Sequence, residues 1–511
     1  MPPRSRTEMG CRAILRFHRR GEAASVLGKS TDRRLSLMQP ERNSAETPPR
    51  RIGPRYDGRH PHTLGDAPMQ TLAVMINGRR AATLAQNLPQ SGTLTLTYGP
   101  DYAASPDALP LSRLLPLAVL THTGDVLRNV LLNLLPDDKL VRVGIAKRWR
   151  LADEDLFRML AEAGRDCAGA VRFVPEDDSE QTSDGAGLRL LTEAELEALL
   201  LGLADPVARP LGMSVADPDF RILVAGAQRK TALVRTERSP SGWAVPGTTN
   251  VAVPTTHILK TPIASGMGNA LDLPSSCENE WLCLEVARAF GLPAARAELV
   301  RAGEAVAIAV ERFDRFEDAS TGARTRRHVE DFCQTLGVPP RMKYEADGGP
   351  GIARIMEVLE GSLTSEADRR TFMTAQMLMW LLNATDAHAK NYSLMLEPGG
   401  YRLAPLYDIL SLEPLVDAGA VSAKRLKLAM ALVGRNRHYR TADIQPRHFL
   451  STAEAVGFPV AEMKAVMDEM AGRAEAVATE VWGRFPDDFP KGMAEPILTQ
   501  MIRRAGMMRA Q

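Results

Sequence analysis

Residues 381–410 read LLNATDAHAKNYSLMLEPGGYRLAPLYDIL. An almost wholly apolar helix (FMTAQMLMWLL, 372–382) runs directly into Asp386, His388, Lys390 and Asn391. An apolar strand (YSLML), a Pro-Gly-Gly turn and a second strand (YRLAPL) follow, and then Asp408. Two acids and an amide thus surround a short hairpin rooted on a buried helix, and loops on rigid scaffolds are where catalytic groups are placed. Hard oxygen donors of this kind hold Mg²⁺, while a carboxylate among them can face an attacking hydroxyl. The chemistry they suit is phosphoryl transfer, in which negative charge spreads over the γ-phosphate.

The D386-x4-N391 spacing matches the loop in which protein kinases place an Asp that orients or deprotonates the acceptor and an Asn that holds Mg²⁺. A further Asp just beyond a hairpin is where that architecture puts its second metal ligand. Taken alone, Asp386 and Asn391 read as capping residues and Asp408 as a turn residue. The apolar helix, hairpin and second Asp in order favour function. Upstream, the strand THILK ends in Lys260, and Glu280 lies on the next helix, as in a strand Lys oriented by a helical Glu. LVAGAQRKTALV (223–234) reads as strand, small-residue turn and strand, with Gly226 allowing close backbone approach to phosphate oxygens. AVAIAVERFDR (305–315) is a buried strand running into Glu311, Arg312 and Phe313, where a hinge would offer backbone groups to adenine. A plain strand exit is the blander reading there. SGMGNAL (265–271) lacks the third Gly and the βαβ context of a dinucleotide fingerprint, and DGGPG (347–351) is a sharp loop without a role derivable from spacing.

These segments need a scaffold of several domains, because 511 residues exceed one compact core. Apolar residues form 44% and charged residues 24% of the chain, which excludes a wholly disordered or fibrous protein. The net charge of +1 is uneven: 1–68 carries 14 basic and 7 acidic residues, and the remainder 49 against 55. That basic leader is rich in Arg, Pro and Gly and reads as disordered. Ordered texture starts at Met69, so 69 is the expected true start and 1–68 an extension that is not made; a flexible basic tail is the rival reading. The five cysteines are scattered, with no CxxC pair, and no run is long and apolar enough to span a membrane, so the expected compartment is the cytoplasm. Strands with interspersed helices fill 70–205. From about 220 come strands around one helix (276–291, stopped by Gly291), and beyond about 325 the chain reads as helical except around 392–410. The expected fold class is α+β, with domains at 69–205, 206–320 (a β-rich lobe) and 321–511 (a helical lobe).

The stretches AGAQRKTAL, PTTHILK, SCENEWLCLEVA, AVERFDR, KYEADGGPGIARIM, NATDAHAKNYSL, PLYDILS and PRHFL occur in the order found in the HipA family of serine/threonine kinase toxins, which this sequence resembles from Met69 onward. LLPD and GRDCAGAV resemble that family's N-terminal domain. The resemblance implies a protein-kinase-like two-lobed fold preceded by a small mixed α/β domain, with ATP and Mg²⁺ between the lobes. It implies Asp386 as catalytic base, Asn391 and Asp408 as metal ligands, and Lys260 on the phosphates with Glu280 supporting it and Lys390 supporting the loop. Ala225, Gly226, Ala227, Gln228, Arg229 and Lys230 would form the phosphate-side loop; Glu311, Arg312 and Phe313 would serve adenine; His388 and Tyr407 would line the nucleotide site. It further implies an aminoacyl-tRNA synthetase as target, typically glutamyl-tRNA synthetase, and a HipB-like helix-turn-helix antitoxin that brings operator DNA indirectly. Two departures stand out. Leu223 replaces the family's regulatory serine, so inactivation by autophosphorylation there is lost, or moved to a nearby residue such as Ser214 or Thr231. Glu454 and Gly457 stand where basic residues are expected to face DNA, and acids repel phosphates. A small-molecule kinase of the aminoglycoside or choline type and a catalytically silent corepressor are the alternatives; the N-terminal domain and the KYEADGGPG stretch argue against the first, and the intact Asp386, Asn391 and Asp408 against the second.

Overall fold

The computed structural model describes residues 70–86, 92–137, 142–143, 146, 155–176, 188–204, 228–246, 253–263, 273–317 and 324–509. The readings made for 1–68, Ser214, Leu223, Ala225, Gly226, Ala227 and 265–271 lie outside these residues. Met69–Gln511 forms a compact unit by itself.

The chain opens with β1 (Gln70–Ile76) and β2 (Arg79–Gln86), joined at Asn77-Gly78, both with positive φ. That is the Asn-Gly hairpin the sequence predicts, and its left-handed pair matches the strand twist. β3 (Leu94–Tyr98), β4 (Thr121–Thr123) and β5 (Val171–Pro175) complete an antiparallel sheet in the order β4-β3-β2-β1-β5. Helices α1 (Gly124–Leu132) and α2 (Leu156–Ala163) cover it, burying Val130, Leu131, Phe157 and Leu160 against Val74, Leu84 and Leu96. Asp155 caps α2 by accepting from the Arg158 amide, which satisfies one of the helix's unpaired N–H groups.

A second sheet runs β10-β11-β9-β7-β8-β6. Its strands are β6 (Leu188–Leu190), β7 (Lys230–Arg235), β8 (Trp243–Pro246), β9 (His257–Lys260), β10 (Ala297–Ala302) and β11 (Ala305–Glu311). α3 (Glu193–Ala204) packs on β10 and β11, so β6 and α3 join this sheet although they precede its other strands by some distance in sequence. Both sheets contribute to one apolar core. α4 (Ser276–Ala289) packs on β10 and β11 and is followed by Gly291 in a left-handed conformation. The chain turns away there, as the sequence predicts.

The second half is less purely helical than its sequence suggests. β12 (Arg315–Glu317) pairs β13 (Arg324–Arg326), and β14 (His328–Asp331) pairs β15 (Ser393–Glu397), which pairs β16 (Gly400–Leu403). β17 (Lys427–Val433) and β18 (Arg437–Arg440) form a further hairpin. HVED is too short and polar to advertise a strand, and exists as one only because β15 lies beside it. KLAMALV is a nearly continuous buried run, which periodicity cannot assign to strand or helix. Between these strands α5 (Ile352–Glu360) and α6 (Ser365–Leu381) pack together, followed by α7 (Pro446–Ala455), α8 (Val460–Trp482) and α9 (Lys491–Arg509). The lower half of α6 is buried all round: Met373, Met377, Leu378, Trp380 and Leu381 are each at most 1% exposed. An α+β, two-lobed kinase-like body with a small mixed domain before it is the architecture observed.

Candidate active site

α6 ends where Asn383 takes a left-handed conformation; a short polar side chain tolerates that region better than most. The chain then turns tightly: the His388 amide donates to the Asp386 carbonyl at 2.8 Å, and the Asn391 amide donates to the His388 carbonyl at 2.8 Å. Asn391 Nδ2 also donates to the Asp386 carbonyl at 2.8 Å, which leaves Oδ1 as the atom available to a cation. Asp408 returns to the same place because its segment is tied at both ends. The Leu406 amide donates to the Pro293 carbonyl (2.8 Å), Ser411 Oγ to the Leu382 carbonyl (2.5 Å), and Asn279 and Ser411 exchange two bonds. Asp408 itself has a positive φ, a strained state for a non-glycine residue that clusters at functional segments.

Lys260, at the end of β9, donates to Glu280 Oε1 on α4 at 2.7 Å and to Asp408 Oδ1 at 2.8 Å. Burial opposes the charge on Lys260, but Asp408 and Glu280 outweigh it and raise its pKa. Burial would likewise raise Asp408, yet Lys260 and Lys230 overcome it and hold the carboxyl well below the usual range. Lys230 stands directly across from Lys260 in the β7–β9 ladder, and burial plus that neighbour push it down to about 8. Burial in the cavity wall pushes the Asp386 pKa up; Tyr344 Oη, which donates to Asp386 Oδ1 at 2.5 Å, and Lys343 partly offset this.

Lys230, Lys260, Lys343, Tyr344, Asp386, Asn391 and Asp408 line one cavity of about 530 Å³, within the range of small-ligand sites; Glu280 stands outside its wall. Phe313 and Tyr407 pack against each other with ring centroids 5.5 Å apart and together give the cavity an aromatic wall, and Tyr407 Oη is fixed by the Lys390 carbonyl (2.8 Å). Gln228, Glu311 and His388 are also in its wall. The oxygen-only donor pair of Asp408 and Asn391 fits Mg²⁺, which takes one or two protein ligands and leaves the rest to water and phosphate. Among the described residues no cluster of three or more His, Cys, Asp or Glu offers a closed metal cage.

Several of the expected site residues make protein bonds of their own. The Arg312 guanidinium is committed elsewhere, donating to Asp314, Thr255 Oγ1 and the Cys167 carbonyl at 2.8–3.0 Å, so any service to adenine falls to its backbone. Arg229 reaches the Leu203 carbonyl (3.4 Å) and is not in the cavity wall. Lys390 is buried and bound to Asn133 Oδ1 (2.8 Å), the Asn133 carbonyl (3.1 Å) and Asp331 (3.0 Å), so it ties the loop to the N-terminal domain. Thr231 is 2% exposed, which withdraws it as a site of modification in this conformation. Sequence reasoning missed Asn133, Asp137, Lys343 and Tyr344, all in the wall. The available signal was KYE standing immediately before the glycine loop. Those glycines have a structural reason. A Cβ on Gly349 would collide with the Met342 carbonyl oxygen, so only glycine lets the loop fold back behind Lys343 and Tyr344.

Residues 222–478 match the HipA-like C-terminal domain, and residues 72–174 match the HipA N-terminal domain. The chain belongs to the HipA family of kinases. It is 30% identical over 412 residues to the candidate kinase Y4mE of Sinorhizobium fredii, covering 80% of this chain and 91% of that protein. It is 29% identical over 347 residues to the serine/threonine-protein kinase toxin HipA of Shewanella oneidensis, covering 64% of this chain and 71% of the toxin. The fold is similar to HipA as solved in the Shewanella oneidensis complex of HipA, HipB and operator DNA, with a TM-score of 0.70 at 24% identity over 86% of this chain and 99% of that one. Among the described residues no helix of this HipA-family chain is long and apolar enough to cross a membrane.

Proposed function

We propose that this chain is an ATP- and Mg²⁺-dependent serine/threonine protein kinase acting as the toxin of a type II toxin–antitoxin pair. The observation that carries the reading is that Lys260, held by Glu280 at 2.7 Å and bonded to Asp408 at 2.8 Å, lines one cavity together with Asp408, Asp386 and Asn391. ATP would lie with its base at Glu311 and Phe313 and its phosphates toward Lys260 and Lys230. Mg²⁺ held by Asp408 and Asn391 would neutralise the phosphate charge. The acceptor hydroxyl approaches Asp386, which takes its proton as the oxygen bonds to the γ-phosphorus. The bond to the bridging oxygen breaks, and ADP leaves.

The family's N-terminal domain supports a protein acceptor over a small alcohol. By the family resemblance, the target is an aminoacyl-tRNA synthetase, with glutamyl-tRNA synthetase favoured, and the outcome is arrested translation in the cytoplasm. A HipB-like helix-turn-helix antitoxin is the proposed partner. Glu454 is exposed on α7, and Gly457 follows that helix in a left-handed conformation. An exposed acid and a bare glycine support leaving DNA contact to the partner.

Incubating the purified chain with Mg²⁺, labelled ATP and a cell lysate tests the reading, and labelling of a synthetase-sized band is expected. Asp386→Asn should reduce transfer roughly a thousandfold while leaving nucleotide binding intact. Transfer at the wild-type rate by that variant would remove Asp386 from the mechanism.

A further inference from the structure

A transferring phosphoryl group needs fixed positive charge on its non-bridging oxygens, and cationic side chains aimed at it are among the strongest contributors to catalysis. On one wall of the cavity, Lys260 is engaged with Glu280 and Asp408, and Lys230 stands behind it in the sheet. The opposite wall, where Asp386 awaits the acceptor, has no such group from its own loop. Between Asp386 and Asn391 the sole lysine is Lys390, and its ammonium group is spent on Asn133 and Asp331. His388 is 4% exposed and packs edge-on against the Tyr344 ring, with centroids 5.0 Å apart.

The missing charge comes from a different element. Lys343 lines the cavity beside Asp386 and precedes Tyr344, whose hydroxyl donates to the Asp386 carboxylate. Its Nζ donates to Asp137 Oδ2 at 3.1 Å, its one hydrogen-bond partner among the described residues. An ammonium group carries three donors, so two remain for a ligand. The side chain is 14% exposed and its backbone is fixed, with the Lys343 carbonyl accepting from the Ala389 amide at 3.2 Å. Behind it the loop is locked by Glu345, which accepts from the Ala431 amide (2.6 Å) and pairs with Arg437 (3.1 Å). Asp137 is itself mostly shielded, its side chain 10% exposed and within 3.6 Å of Lys390, and lies in the segment that follows α1 of the N-terminal domain.

We propose that Lys343 is a catalytic residue whose ammonium group, anchored by Asp137 of the N-terminal domain, contacts the γ-phosphoryl group of bound ATP on the acceptor side. This rests on the kinase reading above. Lys343 gives up no proton: the acceptor proton still goes to Asp386, and the lysine offsets charge on the γ-oxygens while the bond to the bridging oxygen breaks. Asp137 is a positioning residue that acts through Lys343, and the N-terminal domain thereby completes the kinase site.

The test uses the full chain as Lys343→Met and Lys343→Arg, with ATP and ADP affinities measured by calorimetry beside single-turnover transfer at saturating ATP. Lys343→Met is expected to weaken ATP binding about tenfold while leaving ADP binding nearly unchanged, and to slow transfer roughly a hundredfold. Lys343→Arg should recover part of both. Equal weakening of ATP and ADP, or wild-type transfer by Lys343→Met, overturns the proposal and leaves the kinase reading intact. Should the wild-type chain transfer no phosphate to any acceptor, the kinase reading falls, and the ATP-against-ADP comparison decides Lys343 by itself. Unaltered far-UV circular dichroism and ADP binding confirm that each variant is folded.

Discussion

Glu280 has one carboxylate oxygen on Lys260 at 2.7 Å and is fully buried, so its task is to hold that lysine against the sheet. Replacing it with Gln removes the charge and keeps the shape. Lys260 then answers to Asp408 alone and is drawn toward that carboxylate. Glu280→Gln is expected to slow transfer about a hundredfold while the chain stays folded, as misplacement of a phosphate-binding group does; a kinetic comparison at saturating ATP checks this. Glu330 presents a different case. It is 1% exposed on β14, and burial pushes its pKa up to about 7, partly offset by Ser112 and the Arg113 amide. The folded protein therefore binds this proton more tightly than the unfolded chain does. The stability it contributes is full below the ordinary value of 4.5 and is lost as pH rises through about 7. The change amounts to about 3 kcal/mol. Urea unfolding at pH 5 and pH 8 should show that loss in the wild type, and Glu330→Gln should flatten it.

Elements, rather than single residues, decide how those groups are aimed. α6 is buried so completely along its lower half that its end cannot drift, which is why Asp386 can sit on a turn and still be well placed. The loop of residues 343–351 has no such helix beneath it and depends on backbone compactness instead. Gly349→Ala would force a Cβ against the Met342 carbonyl oxygen, and the contact cannot yield cheaply because that oxygen is backbone. The expected result is transfer roughly tenfold slower, with ADP affinity unchanged, because the displaced groups are Lys343 and Tyr344 and not the nucleotide wall. Single-turnover rates beside ADP calorimetry check it. β14 shows the limit of local reasoning at this scale. Its four residues carry no alternation, and pairing with Ser393–Glu397 alone makes them a strand. The nearly all-apolar β17 fails for the opposite reason, since a run without polar positions has no period to read.

Across the whole molecule the N-terminal domain is bolted to the segments that precede β9 and follow β11. Asp166 accepts from Arg315 (2.7 Å), Arg326 (3.3 Å) and Thr255 (2.6 Å), while Arg312 and Arg315 share Asp314 at 2.7–2.8 Å. Burial disfavours the charge on Asp166, but Arg315, Arg312 and Arg326 dominate and keep it ionised. Asp166→Asn would leave those buried guanidinium groups short of compensation. A loss of about 3–5 kcal/mol in urea unfolding is expected. A variant unchanged in stability would mean that the network is replaceable by solvent. Together with Asp137 and Asn133, this network makes the N-terminal domain part of the kinase site's frame.

By itself the sequence determined what short-range chemistry can encode. The Asn77-Gly78 turn, the stop at Gly291, the apolar α6 and the Asp386–Asn391 spacing are patterns within a few residues, and they survive folding because local backbone preference and burial agree there. Lys260 at a strand end, Glu280 on the next helix and Asp408 beyond the hairpin are read in the same local way, and the family resemblance implies the same roles for them. Tertiary structure decided the rest. Lys343 meets Asp137 across 206 residues and Lys390 meets Asn133 across 257, so neither partner could be inferred from neighbours in the chain. Lys390, expected to support the loop, is bound by buried acceptors, whereas Lys343, which no spacing singled out, has Asp137 as its one hydrogen-bond partner among the described residues. Which charge faces a ligand depends on who else binds it, and that is fixed only when distant segments close around the cavity.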